Sequence, residues 1–258
     1  VNNDSPAKAI LVVLGTAFVC SLLVTTAAVK LQPIQRAYQD LERNRFVVAI
    51  SGLVESGREL SDADVVEIFQ DLGVQLVDLD AGRFDQSMNP LTFDQRQSLS
   101  DPERSVAIPS DLDFASLGRR SRHAKVYIVG DAERPERIIL PIHGQGMWST
   151  IYGFLALDAD LNSIAAVMFY EQGETAGIGD KILDSAWQAG WRGQTVFDAD
   201  GALAFRVADG AAATPHEVDA IAGATITTNA VTAMMKYWFG PHGFGPFLDN
   251  LRAGNAAP

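Results

Sequence analysis

The spacing of apolar and polar positions changes several times along the chain, and each change predicts an element. From Ala9 to Val29 no charged residue occurs, with Lys8 before the run and Lys30 after it. A helix needs roughly 20 apolar residues to cross the hydrocarbon core of a bilayer, so this run predicts one membrane span within residues 1–30. Thr26-Ala27-Ala28 has the small residues of a cleavage site. The apolar core of a signal peptide is usually about 7–15 residues, however, and the longer run here favours an uncleaved anchor. Pro33 to Ile50 reads as a charged helical stalk closing at Ser51-Gly52. Ser61 heads a further helix, with Asp62 and Asp64 in its first turn. Its apolar face comprises Val65, Val66, Phe69 and Leu72, and Gly73 ends it.

Val74 to Leu79 predicts a strand. Phe84 to Leu117 is polar, holds prolines and aspartates, and shows no period. Strand character returns at Lys125–Val129, Arg137–Pro141, Ile151–Leu157 and Ile164–Tyr170, the last two joined by a hairpin through Asp158 to Ser163. A helix is predicted over Asp180–Ala189, with Ile182, Leu183, Ala186 and Trp187 on one face, and a strand over Leu203–Val207. Ala230–Trp238 is helical, with Val231, Met234, Met235 and Trp238 on one side. Strands interrupted by helices without strict alternation predict an α+β domain over residues 31–258, behind a single transmembrane helix.

Composition narrows the function. The formal net charge is −12, which repels a phosphate backbone and argues against nucleic-acid binding. The single cysteine, Cys20, rules out an internal disulfide and an iron–sulfur cluster held by this chain alone. Lys30, Arg36, Arg43 and Arg45 outnumber Lys8 across the span and would keep the body in the cytoplasm by the positive-inside rule. That rule weakens before a long domain, so charge leaves the side open. No nucleophile elbow, zinc-protease helix, phosphate-binding lysine loop or dinucleotide fingerprint occurs. His123, His143, His216 and His242 lack metal-ligand spacing and are expected on the surface or in loops.

One segment carries candidate chemistry. Asp219-Ala220-Ile221-Ala222-Gly223-Ala224-Thr225-Ile226-Thr227-Thr228 runs straight into the last predicted helix. A helix N-terminus presents unpaired N–H groups and the positive end of the helix dipole, which suits a phosphate. Gly223 and Ala224 leave room beside the hydroxyl of Thr225. The ordinary alternative is a helix cap, with Thr225 or Thr227 accepting a backbone N–H, and on these residues alone that is the commoner arrangement.

Asp219-x-x-x-Gly223-Ala224-Thr225 resembles the flavinylation motif of the FMN-binding domain family, departing from it at Ala222, where serine or threonine is usual. Pro141 to Gly153, with Trp148-Ser149 and Tyr152-Gly153, is similar to that family's strand–loop segment. Gly173-Glu174-Thr175-Ala176-Gly177-Ile178-Gly179 is similar to its Gly-Glu-Thr-Pro-Gly-Leu-Gly loop. The single span, the polar insertion before residue 124 and the tail Trp238 to Pro246 narrow the resemblance to the carrier subunits of sodium-pumping NADH:quinone reductases.

The resemblance implies an FMN-binding domain of short antiparallel strands and flanking helices, with the module at about 120–258. It further implies one FMN per chain, joined through its phosphate to Thr225 by a flavin transferase that uses FAD. Asp219, Gly223, Ala224, Thr227, Glu174, Thr175, Gly177, Ile178 and Trp148 are its implied cofactor-binding residues, with the Glu174–Ile178 loop on one side of the ring and Met147 and Trp148 nearby. Core packing is the competing role for Trp148 and the expected one for Trp187 and Trp191. The resemblance also implies an electron carrier on the periplasmic side of a bacterial inner membrane, working with the B, D, E and F subunits of the complex. Two rival readings are the G subunit of an Rnf-type electron transport complex and a non-redox anchored ligand-binding module.

Overall fold

The computed structural model describes residues 6–55 and 58–257, apart from the side chain of residue 36. The chain divides into two compact units, Val1–Arg45 and Phe46–Pro258.

The first unit consists of most of helix α1 (Pro6–Ser51). Its stretch before residue 35 exposes Leu11, Leu14, Phe18, Leu22 and Leu23 all round, and the helix is long and apolar enough to cross a membrane. Sequence reading separated a span from a stalk at Pro33, whereas Pro33 lies inside one continuous helix. A proline removes one backbone donor and clashes with the preceding turn, yet helix formers on both sides, Leu31 and Gln32 before it and Gln35 and Ala37 after it, carry the helix through it.

The second unit is built on a six-stranded sheet, in which β1 (Gly73–Asp78), β2 (Arg83–Asp85), β5 (His123–Gly130), β6 (Pro135–Gln145), β7 (Thr150–Asp158) and β8 (Ile164–Glu171) lie in the order β2-β1-β5-β6-β7-β8. Every pairing is antiparallel. Two small elements interrupt the insertion between β2 and β5. They are α3 (Gln95–Ser98) and the ribbon of β3 (Ser105–Ala107) with β4 (Arg119–Ser121).

Alternation along the strands sends successive side chains to opposite faces. Ile138, Leu140 and Ile142 of β6 and Ile151, Leu155 and Leu157 of β7 join one core. Helix α5 (Thr225–Trp238) closes that core with Val231, Met234, Met235 and Trp238. On the other face, Phe46 stacks on Tyr170 at 5.3 Å and Phe69 meets Tyr127 edge-on at 5.8 Å. The end of α1 and helix α2 (Asp62–Gln70) therefore cover this face. Ser61 caps α2 in a full capping box with Asp64, while Val66, assigned to its apolar face from the sequence, is exposed.

Several elements differ from the sequence reading. Asp180–Ala189 is a 3-10 turn, Gly179–Leu183, followed by a separate short helix α4 (Ser185–Ala189). Asp184 breaks the run by capping α4, its side chain accepting from the Ala186 N–H, and this leaves Leu183 exposed. The strand expected at Leu203–Val207 shrinks to β9 (Arg206–Val207), paired in parallel with β10 (Glu217–Val218). A final helix, α6 (Gly245–Arg252), which the periodicity did not announce, buries Phe247, Leu248 and Leu251. Two histidines expected at the surface are structural. His143 is buried at the end of β6, and His123 on β5 pairs with Asp85 at 2.8 Å.

Candidate functional site

Thr225 is the first residue of α5 and is exposed. Its hydroxyl has no hydrogen-bond partner among the described residues. Ile221 to Ala224 make a tight turn, closed by the Ala224 N–H donating to the Ile221 carbonyl at 3.0 Å. Gly223 occupies its third position with φ +79°, a conformation open to glycine and unfavourable for other residues. A side chain at Gly223 would meet only Ile178, so the approach to Thr225 is open.

The capping alternative does not hold. The N-cap is Ala224, and no side chain caps the helix. The first turn therefore keeps its orphan N–H groups and the positive end of its dipole free of a side-chain acceptor. The Thr227 hydroxyl points elsewhere, donating to Glu174 Oε2 at 2.5 Å. The Thr228 hydroxyl folds back onto the carbonyls of Ala224 and Thr225.

Glu174 organises the surroundings. Only 7% exposed, it accepts from the backbone N–H groups of Met147 at 3.2 Å and Trp148 at 3.0 Å as well as from Thr227. Burial raises its pKa, but the hydrogen bonds from Thr227, Trp148, Met147 and Ser149 outweigh burial and hold the carboxyl below its usual value. An ionised carboxylate thus joins three segments, namely the loop between β6 and β7, the loop after β8, and the first turn of α5. Their close approach requires small residues. A Cβ on Gly179 would sit 2.8 Å from both Glu174 Cβ and Thr227 Oγ1, and one on Gly146 would sit 2.6 Å from Glu174 Oε1.

An apolar rim surrounds this arrangement. Trp148 is 66% exposed, Ile226 is 56% exposed, and Met147, Ile178 and Leu183 are also open. The Trp148 indole N–H donates to the Thr175 hydroxyl at 3.1 Å, which places the β6–β7 loop against the 173–179 loop. Gly177 takes φ +76° at the tip of that loop. Core packing is thus excluded for Trp148, whereas Trp191 is fully buried and Trp187 packs partly against the core. Asp219 stands apart. Its carboxylate accepts from the Ala212 N–H at 2.6 Å and its carbonyl from the Trp187 indole at 2.8 Å, so it ties two loops to the start of the segment.

Sequence reading did not find Gly146, Gln172, Leu183 or Ile226 as parts of the site. Gln172 Oε1 accepts the Glu174 N–H. The one available signal was position, since Gln172 and Ile226 adjoin the motifs. Among the described residues no group of three or more His, Cys, Asp or Glu side chains is placed to hold a metal ion. The residues present fit an FMN phosphoester on one ground above others: an exposed hydroxyl stands on an uncapped helix N-terminus behind a glycine turn, beside exposed apolar side chains.

Comparisons with known proteins give the chain's family and fold. Residues 146–240 match the model of the FMN-binding domain family. The chain is 40% identical to the C subunit of the Na(+)-translocating NADH-quinone reductase from Pseudomonas aeruginosa, covering 99% of both chains. It is 39% identical to the C subunit of the same name from Vibrio alginolyticus over 98% of each. The crystal structure of NqrC from Shewanella oneidensis superposes with a TM-score of 0.74 at 35% identity, covering 82% of this chain and 97% of that one. By its full-length identity to these relatives, the chain belongs to the family of Na(+)-translocating NADH-quinone reductase C subunits.

Proposed function

We propose that this chain is a membrane-anchored electron carrier of a sodium-translocating NADH:quinone reductase, with FMN joined by a phosphoester to Thr225. The observation that carries this reading is the exposed Thr225 hydroxyl at the uncapped start of α5, reached past Gly223. In forming the link, the Thr225 oxygen bonds to the flavin-side phosphorus of FAD, the pyrophosphate bond breaks, AMP leaves, and the hydroxyl proton passes to solvent or base. When bound, FMN supplies the redox chemistry, and the protein supplies position and electrostatics.

The chain's own groups divide that work. The first-turn N–H groups of α5 and Gly223 would hold the phosphate, with Ala224 leaving the backbone open. Trp148, Thr175, Gly177 and Ile178 would line one side of the ring. Glu174 and Thr227 fix the loops to the helix, and Asp219 fixes the segment's beginning. A tether through the phosphate leaves the ring's electronics to its surroundings and prevents loss of the cofactor outside the cytoplasm. Residues 1–30 serve as a single-pass anchor, residues 31–258 form the periplasmic body, and the FMN module lies at about 120–258. Electrons arrive from and leave to other subunits of the complex.

The deciding experiment is the intact mass of the denatured chain produced with a flavin transferase, with and without Thr225→Val. An increment equal to FMN less one water, absent from the variant, supports the reading. An unmodified wild-type chain refutes it.

A further inference from the structure

The insertion between β2 and β5 has no part in the function proposed above, yet it grips the strand ends from which both loops of the site emerge. Arg96 on α3 makes a two-pronged contact with Glu171, Nη1 to Oε1 at 3.2 Å and Nη2 to Oε2 at 2.7 Å. Its guanidinium lies 3.6 Å above the centroid of the Tyr152 ring. Tyr152 is near the start of β7, and it stacks on His143 near the end of β6 at 5.5 Å. The Gln145 N–H donates to the Ala115 carbonyl at 2.8 Å, so a second part of the insertion holds the end of β6.

Glu171 is the last residue of β8. The next residue, Gln172, accepts the Glu174 N–H, and Glu174 reaches Thr227 two residues from Thr225. Arg96 is thus linked to the first turn of α5 by polar contacts at both ends of a short stretch of backbone, from Glu171 to Gln172. A planar fork bound to a carboxylate fixes direction as well as distance, and a ring beneath the fork restricts it further.

We propose that Arg96 is a positioning residue of the flavin site. It sets the end of β8 so that Glu174 can hold the 147–148 backbone and Thr227 together beside Thr225. This rests on the covalent reading above. Arg96 and Glu171 are each about half exposed, their side chains 47% and 50% accessible. Exposed pairs add little to global stability, so the loss of this one should move the site far more than the melting temperature.

The test uses the full chain made with a flavin transferase and reads flavin occupancy by intact mass, the visible circular dichroism of the bound flavin, and the unfolding midpoint. Arg96→Ala, Arg96→Glu and Glu171→Arg should each lower occupancy by about threefold or more, as coupling through a contact chain allows. Arg96→Lys, which keeps charge but loses the fork, should fall between Arg96→Ala and wild type. The double charge swap R96E/E171R should recover occupancy and dichroism. Wild-type occupancy and dichroism in Arg96→Ala would overturn the proposal. So would a swap no better than either single reversal, because the pair would then not be the agent. A wild-type chain without any flavin would sink the covalent reading first and this inference with it, whereas unaffected variants on a flavinylated background sink this inference alone.

Discussion

Glu174 and Thr227, separated by 53 residues in sequence, meet through a 2.5 Å hydrogen bond from the threonine hydroxyl to the glutamate carboxylate. The same carboxylate accepts two backbone N–H groups from the β6–β7 loop. The bond therefore closes a ring of contacts around the first turn of α5, and it makes Glu174 the residue on which the site's geometry depends.

Removing that carboxylate leaves two part-buried backbone donors and one buried hydroxyl without their partner. Glu174→Ala should cost about 3 kcal/mol, since hydrogen bonds to a charged group contribute about 1.5–3 kcal/mol each and the loop can relax toward water. Glu174→Gln keeps one acceptor oxygen and should cost less. Urea unfolding measures both. The pH dependence separates charge from packing: the folded chain holds Glu174 ionised below its usual pKa, so its stabilisation is complete above the unfolded value of about 4.3 and drains away as the pH falls further. The wild-type and Glu174→Gln curves should run parallel above pH 5 and converge below about 4. Parallel curves throughout would show that the charge has no role.

Thr225→Val should be silent for the fold. Its side chain is exposed and its hydroxyl has no partner among the described residues, so the change should lie within about 0.5 kcal/mol. The apoprotein's unfolding midpoint checks this, and a large loss would point to a structural role for the hydroxyl.

Gly179→Ala should act in the opposite way, by steric pressure. The added Cβ would lie 2.8 Å from Glu174 Cβ and Thr227 Oγ1, and the loop must move off α5 to admit it. Overpacking of this kind costs about 1–3 kcal/mol. Flavin occupancy should fall together with stability, and retention of both would show that the 173–179 loop has slack.

His143 should impose an acid sensitivity of its own. Burial, reinforced by the Arg96 cation, pushes its pKa down to about 4 from 6.5. The unfolded chain therefore takes up a proton at higher pH than the folded one. The native state keeps its full advantage above pH 6.5 and loses it between about 6.5 and 4, by about 3 kcal/mol in all. His143→Phe, which keeps the stack on Tyr152 and the tilted contact with Trp238, should flatten the unfolding free energy across that window. An unchanged slope would refute the assignment.

Much of the molecule was legible from residue order alone, because the signals concerned are local. An uncharged run long enough to span a bilayer, the short apolar runs of β6 to β8, the Ser61 cap and the small residues leading into α5 are all signals that act over a few residues. Gly223 could be read as making room because it is small; that it also turns the chain with a φ of +79° is visible only in the fold. Periodicity failed where a single side chain overruled it: Asp184 splits the run from Asp180 to Ala189, and Pro33 fails to split α1.

What tertiary structure decided is which distant groups meet. Nothing in the order of residues couples Glu174 to Thr227, or Arg96 to Glu171, 75 residues apart. Those contacts exist because antiparallel pairing brings the ends of β6, β7 and β8 to one edge of the sheet, and because α5 packs its apolar face across that sheet. The sequence by itself determined the long apolar helix and the strands, both written in local spacing, while Thr225 as the proposed acceptor came from the motif's resemblance to a family. The folded sheet alone made a buried carboxylate the clamp of the site, because burial and hydrogen bonding depend on neighbours that only the fold supplies.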